Sequence, residues 1–86
     1  MSARKNGNGG TVDQCIRDSL ELYFRDLRGV EPSGMHAMLI QAVERPLLEV
    51  VMQRAEGNQS RAAQWLGMNR NTLRKKLVDH GLLSRS

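Results

Sequence analysis

Large apolar residues stand at Val12, Ile16, Leu20, Phe24 and Leu27, with Tyr23 beside them. Spacings of four, four, four and three put them on one helical face, which predicts a helix from Asp13 to about Arg28. Gly29 ends it, and the EPSG that follows reads as a turn or loop. A longer periodic run starts at Met35. Met35, Met38, Leu39, Ala42, Val43, Pro46, Leu47, Val50 and Val51 form a wide stripe, and Ile40, Leu48 and Met52 extend it onto the remaining face. This predicts a helix to about Glu56 that is apolar nearly all round, a pattern that belongs in the centre of something. Pro46 inside it predicts a kink, the alternative being two helices that break at Arg45. Gly57 closes the segment.

Two short helices are predicted next. The first runs from about Gln59 to Leu66, with Asn58 as N-cap and Ala62, Ala63 and Leu66 pointing inward. Gly67 supplies the positive φ of a helix stop. Asn69 is a second N-cap, and the last helix spans Arg70 to about Asp79. Ala63 and Gly67 are small where the two helices would meet. This is a helix-turn-helix pattern, whose second helix enters the DNA major groove. On that helix Leu73 and Leu77 share one face, while Arg70, Asn71, Arg74, Lys75 and Val78 fall on the other. Arg70, Arg74, Lys75 and Lys76 are four cations within seven residues, with no acid before Asp79. A solvated basic face would explain the charges alone; the caps, small residues and turn glycine with them favour DNA.

At 86 residues the chain is one small domain, marginal unless a metal, a disulfide or a second subunit supports it. One cysteine, Cys15, excludes an internal disulfide, and with His36 and His80 it makes no metal-ligand pattern. One helix before the long run and two short ones after it are too little to surround it. The simplest remedy is a homodimer whose core interleaves the first two helices of each subunit. The expected fold is all-α: a four-helix subunit in an intertwined homodimer, with a C-terminal helix-turn-helix. Its dimer core would hold Leu39, Val43, Pro46, Leu47, Val50 and Val51. Residues 1–11, rich in Gly and Asn, are expected to be disordered, 12–56 to form the helical dimerisation core and 57–86 the DNA-binding region.

The net charge of +4 is uneven: +2 over residues 1–12, −3 over 13–52 and +5 over 53–86. A basic C-terminal third suggests an oriented polyanion contact. No Ser/His/Asp, Cys/His or paired-carboxylate constellation is present, so no enzymatic activity, cofactor, metal or small-molecule ligand is expected. No apolar run reaches the roughly 18 residues of a membrane span, and MSARKNGNGG lacks a signal-peptide core. A cytoplasmic, nucleoid location is expected, with no membrane partner. Trp65 is expected to pack against the bundle, the five methionines to fill core, and His36 and His80 to flank helix ends in solvent.

The segments IRDSLELYFRDL and ERPLLEVVMQRAEGNQSRAAQWLGMNRNTLRKKL resemble the Fis (factor for inversion stimulation) family over about Ile16 to Gly81. The DNA-binding end of NtrC-type enhancer-binding regulators is the related runner-up, set aside because a free-standing chain from Met1 with a long dimerisation helix fits Fis. The resemblance implies a homodimer that binds degenerate AT-rich double-stranded DNA, bends it, and acts as a nucleoid-associated transcription regulator. Arg70 matches the arginine that reads a guanine edge, and Asn69 and Lys75 match positions that approach bases. Asn58, Gln59, Ser60, Thr72, Arg74 and Lys76 match positions on or near phosphates. The family's recognition helices lie closer together than the roughly 34–36 Å of one DNA turn, so the duplex must bend.

Three departures stand out. Val78 and Asp79 replace two lysines that many relatives carry, with Arg85 the nearest further cation. Glu56 occupies a turn position that is often basic, in a turn implicated in DNA wrapping and in contact with RNA polymerase. The family's N-terminal hairpin arms have no counterpart in the Gly/Asn-rich start, so stimulation of DNA inversion is not expected. A helical adaptor dimer with an incidental basic tail is the competing class, and it has no need of Asn69 and Arg70 at a helix start. RNA binding is weaker still, because three aromatic residues make no stacking platform.

Overall fold

The computed structural model describes residues 3–84, with side chains from residue 10 onward. Those residues fold as four helices: α1 Ala3–Leu27, α2 Met35–Arg54, α3 Gln59–Leu66 and α4 Arg70–Asp79. The all-α class and the four expected helices are therefore present. Two compact units divide between Gly34 and Met35.

In the first unit, α1 begins well before the expected Asp13. Residues 3–11, expected to be disordered, are helical, while residues 1–2 of that segment lie outside the described residues. The expected start rested on apolar periodicity, which begins only at Val12; backbone bonding within a helix carries on without it. Asp13 accepts a hydrogen bond from Arg17 one turn on, and Tyr23 and Phe24 pack edge to face with ring centroids 5.9 Å apart. On the expected stripe Ile16, Leu20 and Leu27 are half-buried, whereas Val12 and Phe24 are exposed.

The second unit carries the core. Leu48, Ala55, Ala62, Ala63, Leu73 and Leu77 are buried together, with Val51, Met52, Leu66, Met68, Leu82 and Leu83 packed around them. α2 runs unbroken through Pro46, so the two-helix alternative does not hold. Pro46 has no N–H to give the carbonyl of Ala42, yet its fixed φ suits a helix. The helix stops at Arg54, two residues earlier than expected, because Glu56 and Gly57 turn left-handed at φ 56° and 81°. The N–H of Gly57 then bonds the Met52 carbonyl at 2.9 Å, closing the end in a Schellman turn.

The α2 surface divides into two faces that its near-uniform apolar composition conceals. Glu44, Leu48, Val51 and Ala55, at spacings of four, three and four, point toward α3 and α4, and Leu48 is completely buried. Ile40, Val43, Leu47 and Val50 lie on a neighbouring face and remain exposed, Val50 by 55%. Among the expected dimer-core residues, Leu39 and Val51 are half-buried, and Val43, Pro46, Leu47 and Val50 are open in the single chain. None of the four helices is long and apolar enough to cross a membrane.

Candidate nucleic-acid interface

The α3–turn–α4 pair is built by local chemistry. Asn58 caps α3 from an extended backbone, its side-chain oxygen accepting the Arg61 N–H at 3.0 Å. Gly67 ends α3 at φ 74°, and the Met68 N–H closes the turn on the Ala63 carbonyl at 3.0 Å. A Cβ added at Gly67 would meet nothing within 4 Å. The glycine is therefore needed for its backbone angle and not, as expected, for close helix packing. The small contact residues are Ala62 and Ala63, both buried.

Asn69 caps α4, its side-chain oxygen accepting the Asn71 N–H at 2.7 Å. That bond uses one lone pair of the oxygen and leaves the amide NH2 free. Asn69 can thus donate to a base or phosphate acceptor while it caps. Leu73 and Leu77 anchor α4 in the core. Asn71, Thr72, Arg74 and Lys75 are exposed on the sides away from them, and Arg70, three residues before Leu73, is exposed at the N-terminal end. Three exposed cations therefore lie on a ten-residue helix. Its orphan N-terminal N–H groups add partial positive charge at the same end as Arg70. Lys75 approaches Asp79 at 3.5 Å, both well exposed; such a pair contributes about 1 kcal/mol or less and leaves the lysine available.

Three residues expected near phosphates behave differently from one another. Ser60 is exposed at the start of α3 beside Asn58. Gln59 is half-buried, its side-chain oxygen enclosed without a hydrogen-bond partner among the described residues. It lines a groove of about 750 Å³ with Val50, Leu77, Leu82 and Leu83. Lys76 is half-buried and ion-paired, Nζ to Oε2 of Glu44 at 2.9 Å. Arg85 lies outside the described residues.

The same carboxylate takes a second partner. His80, expected to be solvated, has a buried ring whose Nε2 lies 2.9 Å from Oε1 of Glu44. Its carbonyl accepts a hydrogen bond from Arg45. The His80 ring, and next the Lys76 ammonium, hold the Glu44 carboxyl below the usual carboxylate range, against a smaller upward push from burial. A depressed folded value means that Glu44 contributes stability above the unfolded carboxylate value of about 4.3 and loses it as pH falls through the folded value. Wild type should therefore exceed Glu44→Gln in melting temperature at neutral pH, and the gap should close below about pH 4. Thermal melts across the acid range check this; a gap that persisted there would contradict it.

Glu44, Arg45 and His80 were not foreseen, because residues about 35 positions apart carry no joint signal in one sequence. Trp65, expected inside the bundle, is 55% exposed on α3, since the alanines take the face that packs.

Residues 39–79 match the family described as bacterial regulatory protein, Fis family. The chain is similar to a Fis-like DNA-binding protein of Ralstonia nicotianae, 62% identical over 72 residues that cover 84% of this chain and 94% of the relative. A Fis-like DNA-binding protein of Neisseria meningitidis is 58% identical over 72 residues, covering 84% and 91%. The DNA-binding protein Fis of Glaesserella parasuis is 40% identical over 81 residues, covering 90% and 83%.

Proposed function

The chain belongs to the Fis family of bacterial regulatory proteins, and on that premise we propose that it binds double-stranded DNA as a homodimer through α4. The observation that carries this reading is the open cationic face of α4, held on a capped helix-turn-helix whose other face is buried. Arg70, at the first position of α4, reads a guanine edge through its planar fork. Asn69 donates its amide beside it, and Lys75 reaches the neighbouring base edges. Asn58, Ser60, Thr72 and Arg74 set the register on phosphates, and the half-buried Gln59 and the paired Lys76 contribute less.

The dimer forms through the exposed α2 stripe of Ile40, Val43, Leu47 and Val50. Burying such a stripe against its copy removes apolar surface from water at roughly 25 cal/mol per Å². A rigid dimer then presents two α4 helices at a fixed separation, and a duplex that does not match it bends. AT-rich centres that deform cheaply are preferred for that reason. The role is that of a nucleoid-associated transcription regulator in the bacterial cytoplasm, with no enzymatic activity. Contact with RNA polymerase through the turn before Gly57 is the weakest component, because Glu56 places an acid where a basic residue would serve.

The test is an electrophoretic shift on an A·T-rich duplex over a series of salt concentrations. Affinity should fall steeply with salt, by about 0.9 in the log–log slope for each phosphate neutralised. Arg74→Ala should flatten that slope by about one unit. Lys76→Ala should flatten it less, because Glu44 already neutralises that charge. A protein that shifts no duplex, or shifts it without salt dependence, is an adaptor and not a DNA-binding regulator.

A further inference from the structure

The C-terminal end of α4 is fastened to α2 by a polar clamp separate from the apolar core. Both oxygens of Glu44 are engaged, one by Lys76 from the last turn of α4 and one by His80 at its C-cap, each at 2.9 Å. Arg45 adds a third link by donating to the His80 carbonyl at that end. The His80 side chain is only 4% exposed, so its bond to Glu44 is shielded from water. Two kinds of contact therefore bear on the angle between α2 and α4. One is the apolar cluster, in which Leu48, Val51, Met52 and Ala55 pack together with Leu73 and Leu77; the other is Glu44. Apolar contacts are non-directional and tolerate small rotations, whereas charge-assisted hydrogen bonds carry geometry.

We propose that Glu44 is a positioning residue that sets which half-site spacing this protein accepts, by locking α4 to the dimerisation helix through Lys76 and His80. This rests on the reading above of a DNA-binding dimer joined through α2. In such a dimer the separation of the two recognition helices is set by the α2–α2 geometry and by the α2–α4 angle of each subunit, so slack at Glu44 acts twice. Helix α4 is about 15 Å long at 1.5 Å per residue. A swivel of about 10° moves its ends by on the order of 1–2 Å, a sizeable part of the roughly 3.4 Å between base pairs. Glu44 touches no DNA in this scheme. Losing it should change selectivity between spacings more than total affinity.

The experiment compares two duplexes, one with inverted guanine-led half-sites around an A·T-rich centre and one with a single base pair inserted at that centre. Wild type should prefer one of them by about tenfold or more. Glu44→Ala should narrow the preference to about threefold or less, while the salt slope holds or steepens by up to about one unit as Lys76 is released from its pair. His80→Phe, which keeps the buried ring but drops its bond to Glu44, should relax it in the same direction. Glu44→Gln, which can still accept from His80, should fall between. Circular dichroism confirms folding, and the His80→Phe result decides the matter if Glu44→Ala melts. Variants that keep the full wild-type preference would overturn the proposal and leave the DNA-binding reading intact. So would a wild type that binds both duplexes equally. Failure of wild type to bind either duplex would remove that reading and the proposal together.

Discussion

Val50→Asp is expected to abolish the dimer and most of the cooperative fold with it. Val50 is 55% exposed in the single chain and stands at the end of the stripe Ile40, Val43, Leu47, Val50. An aspartate there costs nothing in an isolated subunit. In a shared core it is an unpaired charge taken out of water, a cost of several kcal/mol. That is comparable with the whole stability of a small domain, about 5–15 kcal/mol. Among the described residues the buried apolar core is six residues, three of them alanines, a small core for a chain of 86 residues without a partner. Sedimentation and circular dichroism at micromolar concentration check this. A folded, soluble monomer with native helicity would show that the stripe has another use.

Arg70→Ala is expected to remove sequence preference while leaving the fold unchanged. Arg70 is exposed at the first position of α4 and is not part of the buried cluster. Losing a bidentate guanine pair costs about 1–3 kcal/mol of discrimination in each half-site, and both subunits of a dimer carry the change. Salt-dependent binding to unrelated duplex should survive, because Arg74 and Lys75 remain exposed on α4. Competition between a preferred and a scrambled duplex reads the effect directly. Retention of the same preference would show that α4 docks differently from the way proposed here.

The helix-turn-helix was legible because everything that defines it is local. Asn58 and Asn69 bond to N–H groups three and two residues on, and Gly67 turns the chain within its own span. Leu73 and Leu77 were identifiable as the buried face of α4 from spacing alone. The division of α2 was not legible. Composition made it apolar nearly all round, and only the position of α3 and α4 assigns Leu48 and Ala55 inward and Val43, Leu47 and Val50 outward. Trp65 was misplaced for a related reason: size and apolarity favour burial, but the face of α3 that packs is taken by Ala62, Ala63 and Leu66. His80 was misplaced because its partner, Glu44, is 36 residues away. The onset of α1 at Ala3 was missed because the Gly/Asn-rich start contains no periodic apolar signal.

The resemblance to Fis, read from GNQSRAA and LGMNRNTLRKKL, agrees with the family match over residues 39–79. What it implied about individual side chains is sharpened by the geometry. Asn69 already accepts a backbone N–H, Gln59 is half-buried, and Lys76 already has a counter-ion. The charge that faces outward without a buried partner is carried by Arg70, Arg74 and Lys75, a narrower set than the sequence of α4 suggests.

The most direct measurement of the central claim is selection of bound duplexes from a random pool by the purified wild-type protein, followed by sequencing. A dimer that docks two α4 helices in successive major grooves should enrich a dyad: one guanine in each half-site for Arg70, at fixed separation, around an A·T-rich centre that no side chain touches. Enrichment of a single asymmetric motif, or no enrichment over the starting pool, would contradict the account.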